Sequence, residues 1–237
     1  MEWRDKNHVV GIIGGMGSYA TLDFYKRLLD AFPSEKDWDK PRIIIDNHAS
    51  LPSRVRAIMY HENVDVLIDK LAESYNMLIN AGATVIVSVC HTSHYFLNQI
   101  VCQEGADRFL NLIELAKQQC EKNKFNKVRL MASEGTVQAG IYTKCFGDRI
   151  EVIPSNEEQL KRIRRFIECV KQSNISEDDM MEFGHFLNED ELPVILGCSE
   201  LPVMYRKCRE KGLIMERDII DPLQNAIDSI VARYNGR

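Results

Sequence analysis

Apolar residues along this chain follow two patterns that predict alternating strands and helices. Short runs rich in Val and Ile are typical of strands that are buried on both faces of a parallel sheet. Between them lie longer segments whose apolar residues recur three and four positions apart, which is the spacing of one helical face. The predicted strands cover residues 8–13, 42–47, 85–89, 127–132, 150–153 and 193–197.

Long helices are predicted between these strands and at the end of the chain. Helices are expected over residues 64–80 and 107–122, because apolar residues recur there at helical spacing. A final helix over residues 221–234 has Leu223 and Ile227 on one face. We expect that last helix to return to the first part of the chain.

The strand and helix order occurs twice, which predicts two similar halves. Cys198 follows Cys90 by 108 residues, and Ile153 follows Ile45 by the same 108 residues. Alternation of strands and helices predicts parallel sheets covered by helices. The expected fold is therefore α/β, with two pseudo-symmetric three-layer lobes, mainly parallel sheets and an active site in the cleft between them.

The expected lobe boundaries follow from the same repeat. The first lobe is predicted to comprise residues 1–105 together with 215–237, and the second lobe residues 106–214. Each lobe is then large enough to bury a core of its own.

Composition and charge exclude several classes of partner. The 237 residues are 45% hydrophobic and 27% charged, and the net charge of -5 provides no basic field for nucleic acid or an anionic membrane. Residues 161–165 are locally basic, but their apolar members mark one solvated face of a helix. No apolar run approaches the roughly 18 residues of a membrane span, and residues 1–7 lack a signal-peptide core. We expect a cytoplasmic protein without a membrane partner.

The seven cysteines are interpreted as free thiols, because their number is odd and no Cys-x-x-Cys pair is present. Cys90 and Cys198 differ from the others, since each ends a predicted strand and precedes a hydroxyl residue at a predicted helix start. That position predicts a reactive thiol. The remaining cysteines are predicted to be structural, as small buried apolar residues: Cys102, Cys120, Cys145, Cys169 and Cys208.

A pair of opposed thiols suits proton removal and return. A helix N-terminus contributes up to about 2 kcal/mol, which would lower a thiol pKa by roughly 1.5 units towards neutrality. Two thiols that approach one substrate atom disfavour a second negative charge, so the pair should hold one proton between them. One thiolate and one thiol can remove a proton from one face of a carbon and return it to the other.

Other chemistries remain open for the same residues. Cys90 with His91 or His94 could form a hydrolase dyad, and Cys90, His94 and Cys198 could bind zinc. The glycine turn after the first strand lacks both the dinucleotide and the phosphate-loop spacing. The zinc set lacks a fourth ligand and a recognised spacing, so we expect no metal, and the glycine turn leads us to expect no cofactor.

Several short motifs in this chain together resemble one known family. They occur in the order and context of the aspartate/glutamate racemase family, the cofactor-independent amino-acid racemases, over nearly the whole length. The motifs are Gly14-Gly15-Met16-Gly17, Asp46-Asn47 followed by Pro52-Ser53-Arg54, Cys90-His91-Thr92-Ser93-His94-Tyr95-Phe96, Glu134-Gly135-Thr136 and Gly197-Cys198-Ser199-Glu200-Leu201-Pro202.

The resemblance implies a reaction and a set of site residues. The implied activity is racemisation of an acidic amino acid, aspartate or glutamate, by a homodimer without pyridoxal phosphate, with Cys90 and Cys198 as the acid/base pair. Arg54 and Lys171 match cations that hold the side-chain carboxylate of the substrate. The other substrate-binding residues that the resemblance implies are Met16, Gly17, His91, Thr92, Thr136, Ser199 and Glu200.

The three hydroxyl residues in that set have two interpretations. Thr92, Thr136 and Ser199 are expected to donate hydrogen bonds to the α-carboxylate of the substrate. Each lies at a predicted helix start, so it could equally serve as an N-cap.

His91 is the main departure from the family pattern, which has asparagine after the first cysteine. Imidazole is larger than an amide and ordinarily titrates near neutrality, so His91 could contact a carboxylate, change the pKa of Cys90 or narrow the pocket. Substrate choice is therefore open at this stage. An isomerase or decarboxylase of another small dicarboxylate, and a non-catalytic amino-acid-binding protein on the same scaffold, are the alternatives.

Overall fold

Two parallel sheets form the frame of the protein in a computed structural model, which describes residues 8–34, 36–101, 105–214 and 217–235. The strand order in one sheet is β2 (Arg42–Asn47), β1 (Val9–Gly14), β3 (Val85–Ser88) and β4 (Phe109–Leu110). In the other sheet it is β6 (Glu151–Pro154), β5 (Lys127–Ala132), β7 (Val194–Gly197) and β8 (Ile219–Ile220). All of the strand pairs within the two sheets are parallel. The first sheet and its helices comprise β1 (Val9–Gly14), α1 (Ser18–Asp30), β2 (Arg42–Asn47), α2 (Arg54–Tyr60), α3 (Val64–Asn80), β3 (Val85–Ser88), α4 (His94–Ile100) and β4 (Phe109–Leu110).

The second half of the chain repeats this arrangement and adds helices at both ends. Its elements are α5 (Leu112–Lys122), β5 (Lys127–Ala132), α6 (Glu134–Ala139), α7 (Ile141–Phe146), β6 (Glu151–Pro154), α8 (Glu157–Lys171), α9 (Glu177–Leu187), β7 (Val194–Gly197), α10 (Leu201–Glu210), β8 (Ile219–Ile220) and α11 (Pro222–Tyr234). The predicted α/β fold of two similar lobes is confirmed.

Each sheet has an apolar layer on both of its faces. Val87 of β3 faces the cluster formed with α1 and α11, whereas Ile86 faces the cluster formed with α3 and α4. In the second lobe Ile195 of β7 faces α5 and α7, and Leu196 faces α8, α9 and α10. This alternation explains the continuous Val and Ile runs, because a strand covered on both faces has no polar side.

The strands that lead to the two candidate cysteines occupy equivalent places in the two sheets. Ile86 of β3 pairs with Gly11, and Val194 of β7 pairs with Arg129. Val194 follows Ile86 by the 108 residues that also separate the two cysteines. Since parallel strands end at the same edge of a sheet, both thiols lie at the carboxyl edge of their sheet.

The second landmark of the repeat is displaced by one residue. Gly11 pairs with Ile44 of β2, and its counterpart Arg129 pairs with Ile153 of β6. Ile153 therefore corresponds to Ile44 and not to Ile45. The offset is 108 for the cysteine strands, 109 between β2 and β6, 110 between β4 and β8, and 118 between β1 and β5.

Two helices cross between the lobes and tie them together. Ile113 and Ala116 of α5, which follows the last strand of the first sheet, pack in the second lobe. Leu223 and Ile227 of α11 pack in the core of the first lobe, so the predicted return of the final helix is confirmed.

The prediction of a single helix over residues 107–122 is wrong at its beginning. Residues 109–110 form β4, which pairs with β3 of the first sheet, and the helix starts at Leu112. Residues 219–220 likewise form β8 and extend the second sheet. We therefore propose lobe boundaries after β4 and after β8, in place of residues 105 and 214.

Polar and close-packed contacts also join the lobes directly. Arg206 of α10 forms an ion pair with Asp23 of α1. Gly135 of α6 lies against Val55 of α2, where an added Cβ would be 3.0 Å from the Val55 Cα atom. None of the helices in the described residues is long and apolar enough to cross a membrane.

Candidate functional site

A small cavity of about 60 Å³ lies between the carboxyl edges of the two sheets. Eight of its thirteen lining residues follow β1, β3, β5 and β7, which are the adjacent central strands where α/β sheets bind ligands. The other five lie just after β2 and in α8. The volume corresponds to a few water molecules or a small organic ligand. The cavity is lined by Met16, Ser53, Arg54, Val55, Cys90, His91, Thr92, Ser133, Ile167, Lys171, Cys198, Ser199 and Glu200.

The residues predicted for the site are thus largely brought together. Gly17 and Thr136 do not line the cavity themselves, but each contacts a residue that does. Gly15, in the same turn as Gly17, has φ +80°, and an added Cβ there would overlap the backbone of His48. The turn after β1 therefore requires glycine.

Cys90 lies in a loop that buried side chains hold in place. The loop follows β3, and the Ser93 hydroxyl donates to the Cys90 carbonyl oxygen at 2.7 Å. The hydroxyls of Ser88 and Ser93 are hydrogen-bonded at 2.8 Å, with both side chains buried. These contacts fix the backbone from which the Cys90 thiol projects.

His94 is a structural residue of this loop and not a base for Cys90. Its Nδ1 lies 2.9 Å from the Cys90 carbonyl oxygen, and the Leu112 backbone N–H donates to its Nε2 at 3.1 Å. Nδ1 therefore carries the proton, and both ring nitrogens are occupied by backbone groups. Burial lowers the pKa of His94 to about 4, so the ring stays neutral. A Cys90–His94 hydrolase dyad does not fit this arrangement.

Cys198 is held as a thiol by its neighbour Glu200. The Cys198 Sγ donates to Glu200 Oε2 at 3.0 Å, and the Ser199 hydroxyl donates to the same oxygen at 3.0 Å. Burial, the Glu200 carboxylate and the nearby Cys90 raise the pKa of Cys198 well above its ordinary value. The sequence argument from a helix N-terminus predicted the opposite direction for this thiol, because it took no account of burial or of Glu200.

Glu200 carries a free carboxylate oxygen within the site. The residue is 1% exposed, and its Oε1 has no hydrogen-bond partner among the described residues. An added Cβ at Gly17 would overlap this oxygen, so a larger residue there would displace the carboxylate. A buried carboxylate oxygen without a partner is costly unless a ligand donates to it.

Arg54 provides a cation without an acidic partner among the described residues. Its Nη1 donates to the Pro52 carbonyl oxygen at 2.9 Å, and its Nη2 donates to that of Met16 at 3.2 Å. Its Nε is buried and unpaired. The guanidinium is therefore oriented by backbone groups while its charge is left for an anion.

Lys171 lines the cavity from the last turn of α8, with its side chain 40% exposed. Its Nζ is 3.0 Å from Glu168 Oε1, on the outer side of the helix. Desolvation opposes its charge, but the carboxylates of Glu200 and Glu168 leave the pKa of Lys171 above its ordinary value. Lys171 is thus a cation at the rim of the cavity. Its ammonium group pairs with Glu168, whereas Arg54 has no acidic partner among the described residues.

Thr92 and Thr136 form a hydroxyl cluster with Ser133 across the lobes, and neither threonine is the N-cap of its helix. Thr92 Oγ1 lies 2.8 Å from Thr136 Oγ1 and 3.1 Å from Ser133 Oγ. The N-cap of α6 is Ser133, and Ser199 bonds to Glu200. The capping interpretation of Thr92, Thr136 and Ser199 is therefore wrong.

His91 bridges the lobes through Tyr142 of α7. The His91 Nδ1 lies 2.7 Å from the Tyr142 hydroxyl, and both side chains are 1% exposed. Burial lowers the pKa of His91 to about 3, so the expectation that it titrates near neutrality is wrong. Sequence reasoning missed Tyr142, because no motif marks it and only the closure of the lobes brings it to the site.

The prediction of buried apolar cysteines is confirmed for Cys120 and Cys208. It is wrong for Cys145 and Cys169, which are half-buried; the Cys145 thiol donates to Glu114 Oε1 at 3.2 Å. Cys120 and Cys208 are fully buried, and burial raises the pKa of each to about 12. Burial also raises the pKa of Cys145 to about 12 and raises that of Cys169. These thiols stay protonated at neutral pH. Cys102 lies outside the described residues.

The zinc alternative finds no support in the geometry. Within residues 8–34, 36–101, 105–214 and 217–235, no three His, Cys, Asp or Glu side chains are grouped so that they could hold a metal ion. His94, one of the ligands considered, directs both nitrogens to the backbone.

Solved structures of racemases share this architecture. An aspartate racemase from Picrophilus torridus is 26% identical, with 96% of this chain and 94% of that chain covered and a TM-score of 0.77. An aspartate racemase homologue from Pyrococcus horikoshii is 21% identical, with coverages of 95% and 98% and a TM-score of 0.68. A glutamate racemase from Francisella tularensis, solved with D-glutamate, is 19% identical, with coverages of 98% and 82% and a TM-score of 0.64.

A family model extends this likeness to the sequence. The model described as Asp/Glu/Hydantoin racemase matches residues 13–230, which include both cysteine loops and every predicted site residue. The chain belongs to the Asp/Glu/Hydantoin racemase family.

Proposed function

We propose that this chain is a cofactor-independent racemase that inverts the Cα of an acidic amino acid, aspartate or glutamate. Cys90 and Cys198 are the two bases. The observation that carries the proposal is their placement after equivalent strands of two similar lobes, with both residues lining one cavity. Opposed thiols at such a cavity can reach the two faces of one carbon.

The reaction begins with one thiolate and one thiol. The Cys90 thiolate removes the Cα hydrogen as a proton, and the electron pair of the C–H bond moves into the α-carboxylate. Cys198 then gives its proton to the opposite face of the carbon. Cys90 ends as the thiol and Cys198 as the thiolate, so the other enantiomer is turned over in reverse.

The contacts of Cys198 support this starting state. Its thiol donates to Glu200 Oε2, and its raised pKa keeps the proton in place until the carbanion forms. A negative charge on Cys90 raises that pKa further, which couples the two groups.

The charges of the cavity support an acidic amino acid as the substrate. Arg54 and Lys171 are two cations, and Glu200 is the carboxylate among the lining residues. A molecule with two carboxylates and one ammonium group is complementary to this set. The free Oε1 of Glu200 suits the ammonium group, and Arg54 suits the side-chain carboxylate.

The hydroxyl cluster supports stabilisation of the α-carboxylate. Negative charge grows on that group as the Cα proton leaves, and donors that are already oriented stabilise it without further reorganisation. Thr92 and Ser133 line the cavity from opposite lobes and are linked to Thr136. Closure of the lobes therefore assembles these donors around one ligand.

We also propose that the protein is a homodimer and that it is cytoplasmic. The family resemblance supports a homodimer. Free thiols that must stay reduced support a cytoplasmic location.

Replacement of either cysteine tests the assignment of the two bases. Cys90→Ala and Cys198→Ala should each reduce racemisation of aspartate or glutamate by roughly 1000-fold, because each removes one acid/base group. Circular dichroism of the amino acid measures the rate from either enantiomer. Cys169→Ala, which changes a half-buried cysteine that does not line the cavity, is the matched control and should retain the rate. Turnover that survives in both site variants would refute the assignment.

Glu200→Gln tests the origin of the high Cys198 pKa. The substitution removes the charge that raises this pKa, so the pKa should fall. The alkaline limb of kcat/KM, where the second thiol loses its proton, should therefore move to lower pH. The shift should be the same from either enantiomer, because the two singly protonated forms of the pair share the same macroscopic pKa values.

The control for this pH experiment is Glu168→Gln. Glu168 bonds to Lys171 on the exposed side of α8 and has no hydrogen bond to Cys198. Its profile should match that of the unmodified protein. An alkaline limb that stays in place in Glu200→Gln, or that moves to higher pH, would contradict the role given to Glu200.

Arg54→Lys tests the recognition of the acidic side chain. Lysine keeps the charge but loses the planar fork that two backbone carbonyls orient, so KM for the acidic substrate should rise about 10- to 100-fold. Arg56→Lys is the matched control, since Arg56 is exposed and pairs with Glu62. Steady-state kinetics with aspartate and glutamate provide the measurement. An unchanged KM in Arg54→Lys would remove Arg54 from the binding site.

A further inference from the structure

The hydrogen bond between His91 and Tyr142 bears on which ring nitrogen of His91 carries the proton. His91 belongs to the loop after β3 in the first lobe, and Tyr142 to α7 in the second. The His91 Nδ1 atom lies 2.7 Å from the Tyr142 hydroxyl oxygen. Neither side chain has another hydrogen bond within the described residues. The Nε2 of His91 is buried without a partner, although His91 lines the cavity.

Counting donors and acceptors selects one tautomer of His91. If His91 Nδ1 carried the proton and donated to Tyr142, the Tyr142 hydroxyl hydrogen and the His91 Nε2 lone pair would both lack partners. If Tyr142 donates to an unprotonated Nδ1, the Nε2–H group alone is left over. Burial raises the pKa of Tyr142 well above its ordinary value, so the hydroxyl keeps the hydrogen that it donates. The Nε2–H tautomer is therefore favoured.

We propose that Tyr142 is a positioning residue that holds His91 as the Nε2–H tautomer, so that His91 presents an uncharged N–H donor to the α-carboxylate of the substrate. The tautomer rests on the contacts of these two residues alone. The contact with the substrate also rests on the proposed racemase function.

His91 stands where the family pattern has asparagine, and this difference explains why a tyrosine is needed to orient its N–H donor. A side-chain amide carries N–H donors whatever its neighbours are. An imidazole carries a donor at Nε2 only when its Nδ1 is an acceptor, and Tyr142 imposes that state. His91 with Tyr142 thus replaces the donor that an asparagine would supply alone.

An uncharged donor also suits the proton transfer between the two thiols. An imidazolium could give its proton to the thiolate or to the carbanion, whereas a neutral N–H group stabilises the growing charge without giving up its hydrogen. The pKa of His91, lowered by burial to about 3, keeps the ring neutral over the working range of the cysteines. The proton then passes only through Cys90 and Cys198.

Nitrogen-15 spectra of the histidine rings test the tautomer without any assay of activity. In the full-length labelled protein near pH 7, His91 should show a protonated Nε2 and an acceptor Nδ1. His94 should show the opposite tautomer, because its Nε2 accepts from Leu112, and it serves as an internal reference. The signals are assigned by their loss in His91→Asn. A protonated Nδ1 on His91 would overturn the proposal.

The same spectra in Tyr142→Phe test the cause of the tautomer. Loss of the hydroxyl should turn the single His91 tautomer into a mixture, while His94 is unchanged. Tyr75→Phe is the matched control, because the buried Tyr75 hydroxyl donates to the Gly105 carbonyl oxygen away from the cavity. A His91 ring that keeps its Nε2–H state in Tyr142→Phe would show that Tyr142 does not set it.

A double-mutant cycle tests the contact with the substrate. Tyr142→Phe should lower kcat on the order of 10-fold, the effect of misdirecting one hydrogen bond to a developing charge. The same change in a His91→Asn background should have little effect, because an amide donor does not depend on Tyr142. Equal losses in both backgrounds would mean that Tyr142 acts only through structure. Absence of racemisation in every variant would count against the proposed function and leave the spectral result standing.

Discussion

The hydrogen bond from Cys198 to Glu200 is the interaction on which the proposed mechanism depends. Two thiols at one cavity disfavour a second negative charge, so one of them keeps its proton. The Glu200 carboxylate favours the proton on Cys198, since it accepts from Cys198 at 3.0 Å and, together with burial, raises the pKa of that thiol. The similar lobes thus carry unlike electrostatic environments.

The fold explains how such a site can be assembled from distant parts of the chain. Both cysteines follow central strands that occupy the same position in the two sheets, β3 in one and β7 in the other. Helices α5 and α11 cross between the lobes, and the ion pair of Arg206 with Asp23 joins them on the outside. The cavity therefore lies between the two sheets, and its polar groups meet only when both lobes are folded and packed together.

Much of this fold could be predicted from the sequence, because strands buried on both faces leave an unbroken apolar run. The run before Cys90 and the run before Cys198 were identifiable for that reason, and the family motifs then added the cations and hydroxyls. The strands β4 and β8 were not predictable, since two residues are too few to show a pattern. They form strands because each pairs with the neighbouring strand at the edge of its sheet, β4 with β3 and β8 with β7.

The charge states of the site could not be predicted, because they depend on burial and on neighbours across the cleft. His91 has an ordinary sequence context, yet complete burial makes it neutral. Tyr142 lies in a helix without a motif, and its hydrogen-bond partner, His91, belongs to a loop of the other lobe. Glu200 was identified as a substrate-binding residue by motif, but its bond to Cys198 required the local geometry.

Solvent deuterium provides the most direct measurement of the two-base mechanism. The protein is incubated in D2O with one enantiomer of aspartate or glutamate, and deuterium at Cα is measured in both enantiomers at low conversion. If two opposed thiols act, the product enantiomer carries deuterium while the remaining substrate keeps its hydrogen. Deuterium that enters the remaining substrate as fast as the product would contradict the account, because it would show that one group both removes and returns the proton.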